Sequence, residues 1–219
     1  MAPPLALHRR VEELRARIEA AGRAAREVAI VAVTKGFGPQ VVEAAAEAGL
    51  RDCGENYAQE LVAKATAPAL ADVRWHFLGP IQRNKVAGLA GRVALWQGLD
   101  RQAAAAEVAR RAPGAAVLVQ VNLSGDPRRP GCGWDDAPAL VEAGLGLGLD
   151  VRGLMGVAGG DGQRQQFRRL SALASRLGLA ELSMGMSGDF EVAVQEGSTM
   201  VRIGTALFGA RPGPPQVRR

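Results

Sequence analysis

Val28 to Lys35 reads VAIVAVTK, an apolar, β-branched run that ends in a lysine just before Gly36-Phe37-Gly38-Pro39. A continuous apolar run of this length fits a strand buried on both faces, as in a parallel sheet. The Gly/Pro cluster stops it. Lys35 therefore falls at the carboxyl end of a buried strand, where α/β proteins build their sites. Among the 27 lysines and arginines only Lys35, Lys64 and Lys85 are lysines. A desolvated lysine condenses with carbonyls, which arginine does not do. Lys35 is thus either a reactive amine or a strand-end lysine reaching for solvent.

Working outward, Val11, Leu14, Ile18, Ala21 and Ala25 recur at three- and four-residue steps and predict an amphipathic helix over Leu7–Arg26. On the other side, Pro39 opens a helix through Ala48 that Gly49 ends. A short strand near Leu50–Cys53 leads to Gly54-Glu55-Asn56-Tyr57 and a helix over Ala58–Ala67. Further strands are expected at Val73–Leu78, Val93–Trp96, Ala115–Val121, Val151–Met155, Leu182–Met184 and Met200–Ile203. Helices at Gln82–Leu89, Arg101–Arg111, Asp135–Leu145, Gln163–Leu177 and Asp189–Gln195 separate them, with a last short helix from Thr205. Such alternation requires a parallel sheet with helical crossovers. Eight such units in 219 residues sit near the lower size limit of a (β/α)8 TIM barrel. An open doubly wound sheet is the competitor, but its usual GxGxxG fingerprint does not follow the first strand. The barrel is favoured, as one domain over residues 1–211, with a basic, proline-bearing tail over 212–219 read as disordered.

The composition narrows the function class. Hydrophobic content of 47% and charge content of 22% are ordinary for a globular protein. Two distant cysteines, Cys53 and Cys132, without metal spacing point to a reducing cytoplasm rather than a disulfide framework. No apolar stretch approaches the roughly 20 residues of a membrane span, and the amino terminus turns charged too soon for a secretory signal. The net charge of +5 invites a nucleic-acid reading. The arginines are spread out rather than clustered and aromatics make up only 4%, so a solvated surface explains them better and neither nucleic acid nor membrane is expected as a partner.

In a barrel the carboxyl ends of all strands form one mouth. The residues at those ends are Lys35, Gly54-Glu55-Asn56, His76 to Gly79, Asp100, Asn122, Met155, Ser187 and Arg202 to Thr205. Ser187 follows a glycine-bearing turn, and Gly204-Thr205 again opens a helix after a strand. Barrels bind phosphate on the loops after strands seven and eight; plain helix capping is the alternative for both hydroxyls. Two ligand classes fit a lysine beside a phosphate cradle: pyridoxal 5′-phosphate (PLP), or a phosphorylated sugar carbonyl as in Schiff-base aldolases. His76 reads as a structural histidine and Cys53 as a small core residue. Arg202, inside the apolar strand MVRIG, demands an acceptor, because a buried guanidinium is costly without one.

The stretches Ala32–Lys35, Gly54–Glu60, Trp75–Lys85, Arg152–Met155 and Leu182–Arg211 resemble, in order, the YggS/PROSC family of pyridoxal phosphate homeostasis proteins. That family comprises single-domain relatives of the alanine racemase N-terminal barrel (PLP fold type III). The resemblance implies that Lys35 carries PLP as an internal aldimine and that Ser187, Gly204 and Thr205 hold the phosphate. It also implies that Arg202 faces the pyridine nitrogen and Asn56 lies beside the ring. Three positions depart from the family pattern: Cys53 where an aromatic is usual, Gly36-Phe37-Gly38-Pro39 where a polar-basic run is commoner, and Arg129 where a lysine is usual. A role for that lysine in holding free cofactor does not transfer.

Alanine racemases add a second catalytic base, a tyrosine, and a C-terminal β domain. Here the barrel is expected to end near Gly209, and the only tyrosine is Tyr57. Racemisation needs proton donors on both faces of the substrate Cα, and Lys35 supplies one. With no convincing second base, the expected function is PLP binding, storage or delivery by a monomer serving apo-PLP enzymes, without efficient catalysis. The alternatives are a PLP-dependent amino-acid racemase or lyase that uses water or Tyr57, and a cofactor-free aldolase.

Overall fold

The computed structural model describes residues 4–67 and 70–210; the expected tail at 212–219 lies outside them. Eight parallel strands close on themselves in sequence order: β1 (Ala29–Val33), β2 (Asp52–Glu55), β3 (Arg74–Phe77), β4 (Val93–Leu99), β5 (Ala116–Val121), β6 (Asp150–Gly156), β7 (Glu181–Met186) and β8 (Met200–Ile203). The expected (β/α)8 barrel is the fold. The closing pair sets Ala29 opposite Met200 and Val31 opposite Arg202.

Helices cover the outside of the ring: α1 (Pro4–Ala20), α2 (Pro39–Glu47), α3 (Ala58–Ala65), α4 (Arg83–Leu89), α5 (Gln102–Arg111), α6 (Ala137–Gly146), α7 (Gln163–Arg176), α8 (Phe190–Gln195) and α9 (Thr205–Phe208). Side chains alternate along each strand, which creates two cores. Cys53, Trp75, Phe77, Trp96, Val117 and Val119 face outward and pack with the helices. Val31, Leu95, Ala116, Leu118, Met155 and Met200 fill the ring from within. That interior is not wholly apolar: His76, Gln97, Gln120, Ser183 and Arg202 are buried.

The extra helix α1 buries Leu7, Val11, Leu14 and Ile18, the stripe read from the sequence, but it stops at Ala20 rather than Arg26. Gly22 takes φ +97°, and the N–H groups of Gly22 and Arg23 bond back to the carbonyls of Glu19 and Ile18. This Schellman closure uses a left-handed residue that only glycine adopts cheaply. Beyond it, Arg10 donates to the Leu207 carbonyl at 2.7 Å. Arg17 pairs with Glu191 at 2.8 Å while lying over the Phe190 ring. The helix thus clamps α8 and α9, which flank the last strand.

Every strand but β8 differs from expectation by at least a residue in extent, and the changes in β2, β4 and β7 involve polar or glycine positions. β2 begins at Asp52 and runs through Glu55, not over Leu50–Cys53. Its polar ends are held by partners elsewhere in the chain, Arg74 and His76 for Asp52, and Lys64 and Thr34 for one oxygen of Glu55. β4 continues to Leu99 through Gly98, and β7 to Met186 through Gly185, which reads in the sequence as part of a turn. Gly98 instead marks a close approach of chains: a Cβ there would stand 2.2 Å from the Gly79 carbonyl oxygen.

Candidate functional site

The turns after β1, β7 and β8 meet at the carboxyl mouth around a cavity of about 440 Å³. Lys35, Asn56, Ser187, Arg202, Gly204 and Thr205 all line it. Val33, Leu78, Met155 and Val157 supply apolar walls. These six polar and backbone positions are the ones singled out from the sequence, and they come together in one place.

Other polar residues expected at the mouth do not line it. His76 turns down the barrel interior, 3.0 Å from Asp52 and 2.8 Å from Gln97, the structural role expected of it. Glu55 points outward to Lys64 and Thr34, Asp100 pairs with Arg101, and Asn122 organises its own loop, its Oδ1 accepting from Ser124 and Gly125. In each case the alternation of a strand or the tightness of a turn decides the direction.

The Lys35 segment is held on both sides. Lys64 Nζ donates to the Thr34 carbonyl at 2.9 Å, and Glu60 Oε2 accepts from the Gly36 N–H at 2.8 Å. Lys64 also pairs with Glu55, whose other oxygen, Oε2, is buried without a partner among the described residues. Burial raises the Glu55 carboxyl above the usual range, and Lys64 and Thr34 only partly offset it. Asn56 is set by glycine: a Cβ on Gly79 would stand 2.0 Å from the Asn56 carbonyl oxygen.

Ser187 does not cap the helix that follows it. Its Oγ accepts from the Ala206 N–H at 3.2 Å, tying the β7 turn to the first turn of α9. The hydroxyl proton remains available to a ligand. Asp189 Oδ1 closes the same turn by accepting from the Met186 N–H at 2.6 Å.

Arg202 is 5% exposed. Both Nη1 hydrogens go to Ser183, one to its carbonyl and one to its hydroxyl, each at 2.7 Å. Nη2 donates to the Gly156 carbonyl at 2.8 Å. That leaves Nε–H and one Nη2–H without an acceptor among the described residues. Burial pulls its pKa down to about 10, opposed by the Asp189 charge, so the group stays a cation at neutral pH.

The sequence matches the alanine racemase N-terminal domain over residues 10–212. It is 43% identical, over 209 residues, to a pyridoxal phosphate homeostasis protein of Pseudomonas aeruginosa, with 90% of this chain and 91% of the relative covered. The chain belongs to the pyridoxal phosphate homeostasis protein family. A solved family structure, PipY of Synechococcus elongatus, is 32% identical, with 93% of this chain and 100% of that one covered. The TM-score is 0.83 against PipY without PLP and 0.76 against PipY with PLP bound. Alanine racemase of Corynebacterium glutamicum, at 19% identity and a TM-score of 0.67, shares the barrel, which spans 61% of that longer chain.

As a family member, the chain has a cavity whose donors suit PLP. The orphaned Arg202 donors call for an acceptor such as a ring nitrogen, the Ser187 and Thr205 hydroxyls and the Gly204-Thr205 backbone suit a phosphate, and Lys35 is the amine. Gln120, which lines the same cavity with Oε1 buried and unpartnered, went unnoticed in the sequence. It sits in the strand AVLVQV, where a polar residue at an inward position of an otherwise apolar strand was the available signal. Arg129, the departure from the family lysine, reaches across to the Ala158 carbonyl at 3.3 Å.

Proposed function

We propose that this chain binds pyridoxal 5′-phosphate and acts in its homeostasis, by holding, storing or delivering the cofactor without efficient turnover. The observation that carries the reading is the meeting, in one cavity, of the Lys35 amine, the Ser187 and Thr205 hydroxyls and the half-satisfied Arg202 guanidinium. The name of the Pseudomonas relative and the PLP-bound form of PipY support it.

When bound, PLP supplies an aldehyde conjugated to an electron-withdrawing pyridine ring. Lys35 would hold the aldehyde carbon, Ser187, Gly204 and Thr205 the phosphate, and Asn56 the ring edge. Arg202 would serve the ring nitrogen. A guanidinium offers only donors, so it disfavours a proton on that nitrogen and weakens the ring as an electron sink. That suits retention better than turnover. Tyr57 supports the same view: it is 57% exposed and does not line the cavity, although a racemase would need a second base there.

The reading takes the chain as a monomer that works in the cytoplasm and serves apo-PLP enzymes. Among the described residues the exposed large apolar side chains are Tyr57, Leu145, Leu147 and Met186, few for an obligate interface. Surface arginines pair with carboxylates, as Arg164 and Arg168 do with Glu196, which speaks against a nucleic-acid partner. Among the described residues no helix is long and apolar enough to cross a membrane.

The test is borohydride reduction of PLP-loaded protein followed by peptide mapping. Label is expected on the peptide holding Lys35 and is lost in Lys35→Ala. Label on Lys64 or Lys85, or none, overturns the proposal. Incubating loaded protein with L-amino acids tests the absence of turnover; D-isomer or keto-acid formation at ~1–10³ per second would contradict it.

A further inference from the structure

A row of polar side chains runs along the inside of the barrel. Arg202 Nη1 donates to Ser183 Oγ at 2.7 Å, and Ser183 Oγ donates to Gln97 Oε1 at 2.6 Å. Gln97 Nε2 lies 2.8 Å from His76 Nδ1, and His76 Nε2 lies 3.0 Å from Asp52 Oδ1. Arg74 closes the row with a 2.7 Å bond to the same carboxylate oxygen. Asp52 and Arg74 line a second cleft, at the opposite end of the barrel from the Lys35 cavity.

The sense of every link is fixed by the donor inventory. A guanidinium only donates, so Ser183 Oγ accepts from Arg202 and passes its own proton to Gln97 Oε1. The Gln97 amide then presents N–H to His76 Nδ1, which must accept. The imidazole proton therefore sits on Nε2 and goes to Asp52. Burial alone would raise the Asp52 carboxyl, but the His76 and Arg74 hydrogen bonds outweigh it and hold it well below the usual range, which keeps an anion at the end of the row. The result is a one-way chain of donors from a cation to an anion.

Its neighbours inside the ring, Val31, Leu95 and Leu118, are apolar, and Met200 Sδ takes a second Gln97 Nε2 hydrogen at 3.0 Å. Buried polar groups are costly compared with such a filling unless every member is satisfied, and satisfied rows become rigid and mutually polarised. Ser183 and Gln97 are fully buried and His76 nearly so. Arg202 is the member of the row that also lines the Lys35 cavity.

We infer that Ser183, Gln97 and His76 are positioning residues for Arg202, fixing from the far side of the barrel which of its N–H groups face the cavity and how strongly they donate. Both Nη1 hydrogens are bound to Ser183, so Nε–H and one Nη2–H are left for the ligand. The inference deepens the PLP reading and rests on it for the ligand, while the row itself does not depend on a ligand.

The test uses the full chain with and without PLP. In ligand-free protein, ¹⁵N spectra of the imidazole should show His76 protonated on Nε2; the Nδ1–H tautomer would overturn the inference. Gln97→Leu keeps the bulk and cuts the row. It should shift the Arg202 Nε–H resonance in ligand-free protein, raise the PLP Kd by up to about tenfold, the worth of one neutral hydrogen bond, and move the absorbance maximum of bound PLP. Ser183→Ala is the second variant should Gln97→Leu not fold. If folded variants lose thermal stability while the Arg202 resonance, Kd and absorbance stay unchanged, the row is merely structural and the inference falls. Absence of PLP binding by the wild-type chain would instead refute the proposed function, and the Arg202 resonance would still decide the coupling.

Discussion

Replacing Lys64 by methionine removes the ammonium that holds the Lys35 segment from behind. Lys64 is 4% exposed and Glu55 fully buried. The substitution leaves a carboxylate with the Thr34 hydroxyl as its remaining partner, at 2.7 Å, and a Thr34 carbonyl that keeps only the Phe37 N–H, at 3.1 Å. Breaking a buried ion pair from one side costs about 3–5 kcal/mol. With an unfolding entropy of about 2.1 cal/mol/K per residue, the 219-residue chain has about 0.46 kcal/mol/K at its midpoint. The expected fall in Tm at pH 7 is therefore about 7–11 °C, measured by calorimetry on ligand-free protein. Burial already holds Glu55 high, and without Lys64 it goes higher still. The variant should then recover part of its deficit as pH falls and Glu55 takes up a proton. Adding Glu55→Gln should recover part of it at pH 7 as well. A Lys64→Met protein that melts within 2 °C of wild type, or a deficit insensitive to both pH and Glu55→Gln, would refute the reasoning.

Ser187→Ala should weaken PLP binding about tenfold while borohydride labelling of Lys35 persists; unchanged affinity in a binding titration would remove Ser187 from the phosphate site. Gly79→Ala forces a Cβ to within 2.0 Å of the Asn56 carbonyl oxygen, so both Tm and PLP affinity should fall, and a neutral outcome in either would show that the loop yields. Asp52 carries a carboxyl depressed below its ordinary 3.8, so its contribution is full above that value and drains away as pH drops below it, where the unfolded chain takes up the proton first. Wild-type Tm should therefore decline more steeply in acid than that of Asp52→Asn; parallel curves would contradict this. Burial pushes the Cys53 and Cys132 thiols up to about 12 and about 11, so a disulfide reagent should label them only as fast as the chain opens.

The barrel was readable because its signals are local. Apolar runs such as AIVAV and AVLVQV alternate with helices opened by proline and ended by glycine, and period and punctuation need no knowledge of neighbours. The six cavity residues were readable because the carboxyl-end rule converts strand order into a shared mouth. The interior row was not. Gln97 and Ser183 lie in strands whose inner and outer faces cannot be told apart when both are buried. A buried glutamine gains meaning only once β4 is known to face β7 across the ring. β2 was misplaced for the related reason that Asp52 and Glu55 look like loop residues until their partners at positions 74 and 64 are brought beside them.

The register of the closing strand pair carries a further consequence. Val31 stands opposite Arg202, so the amine and the guanidinium come from the first and last staves of the ring, made at opposite times during synthesis. No amino-terminal fragment possesses both walls of the pocket. If Lys35 and Arg202 hold the vitamer as proposed, it would be captured only after the seam has zipped, and once lodged it would bridge that seam and tighten it. Retained cofactor would thus act as a latch on the join that closes the ring, and its occupancy would report that the ring is complete.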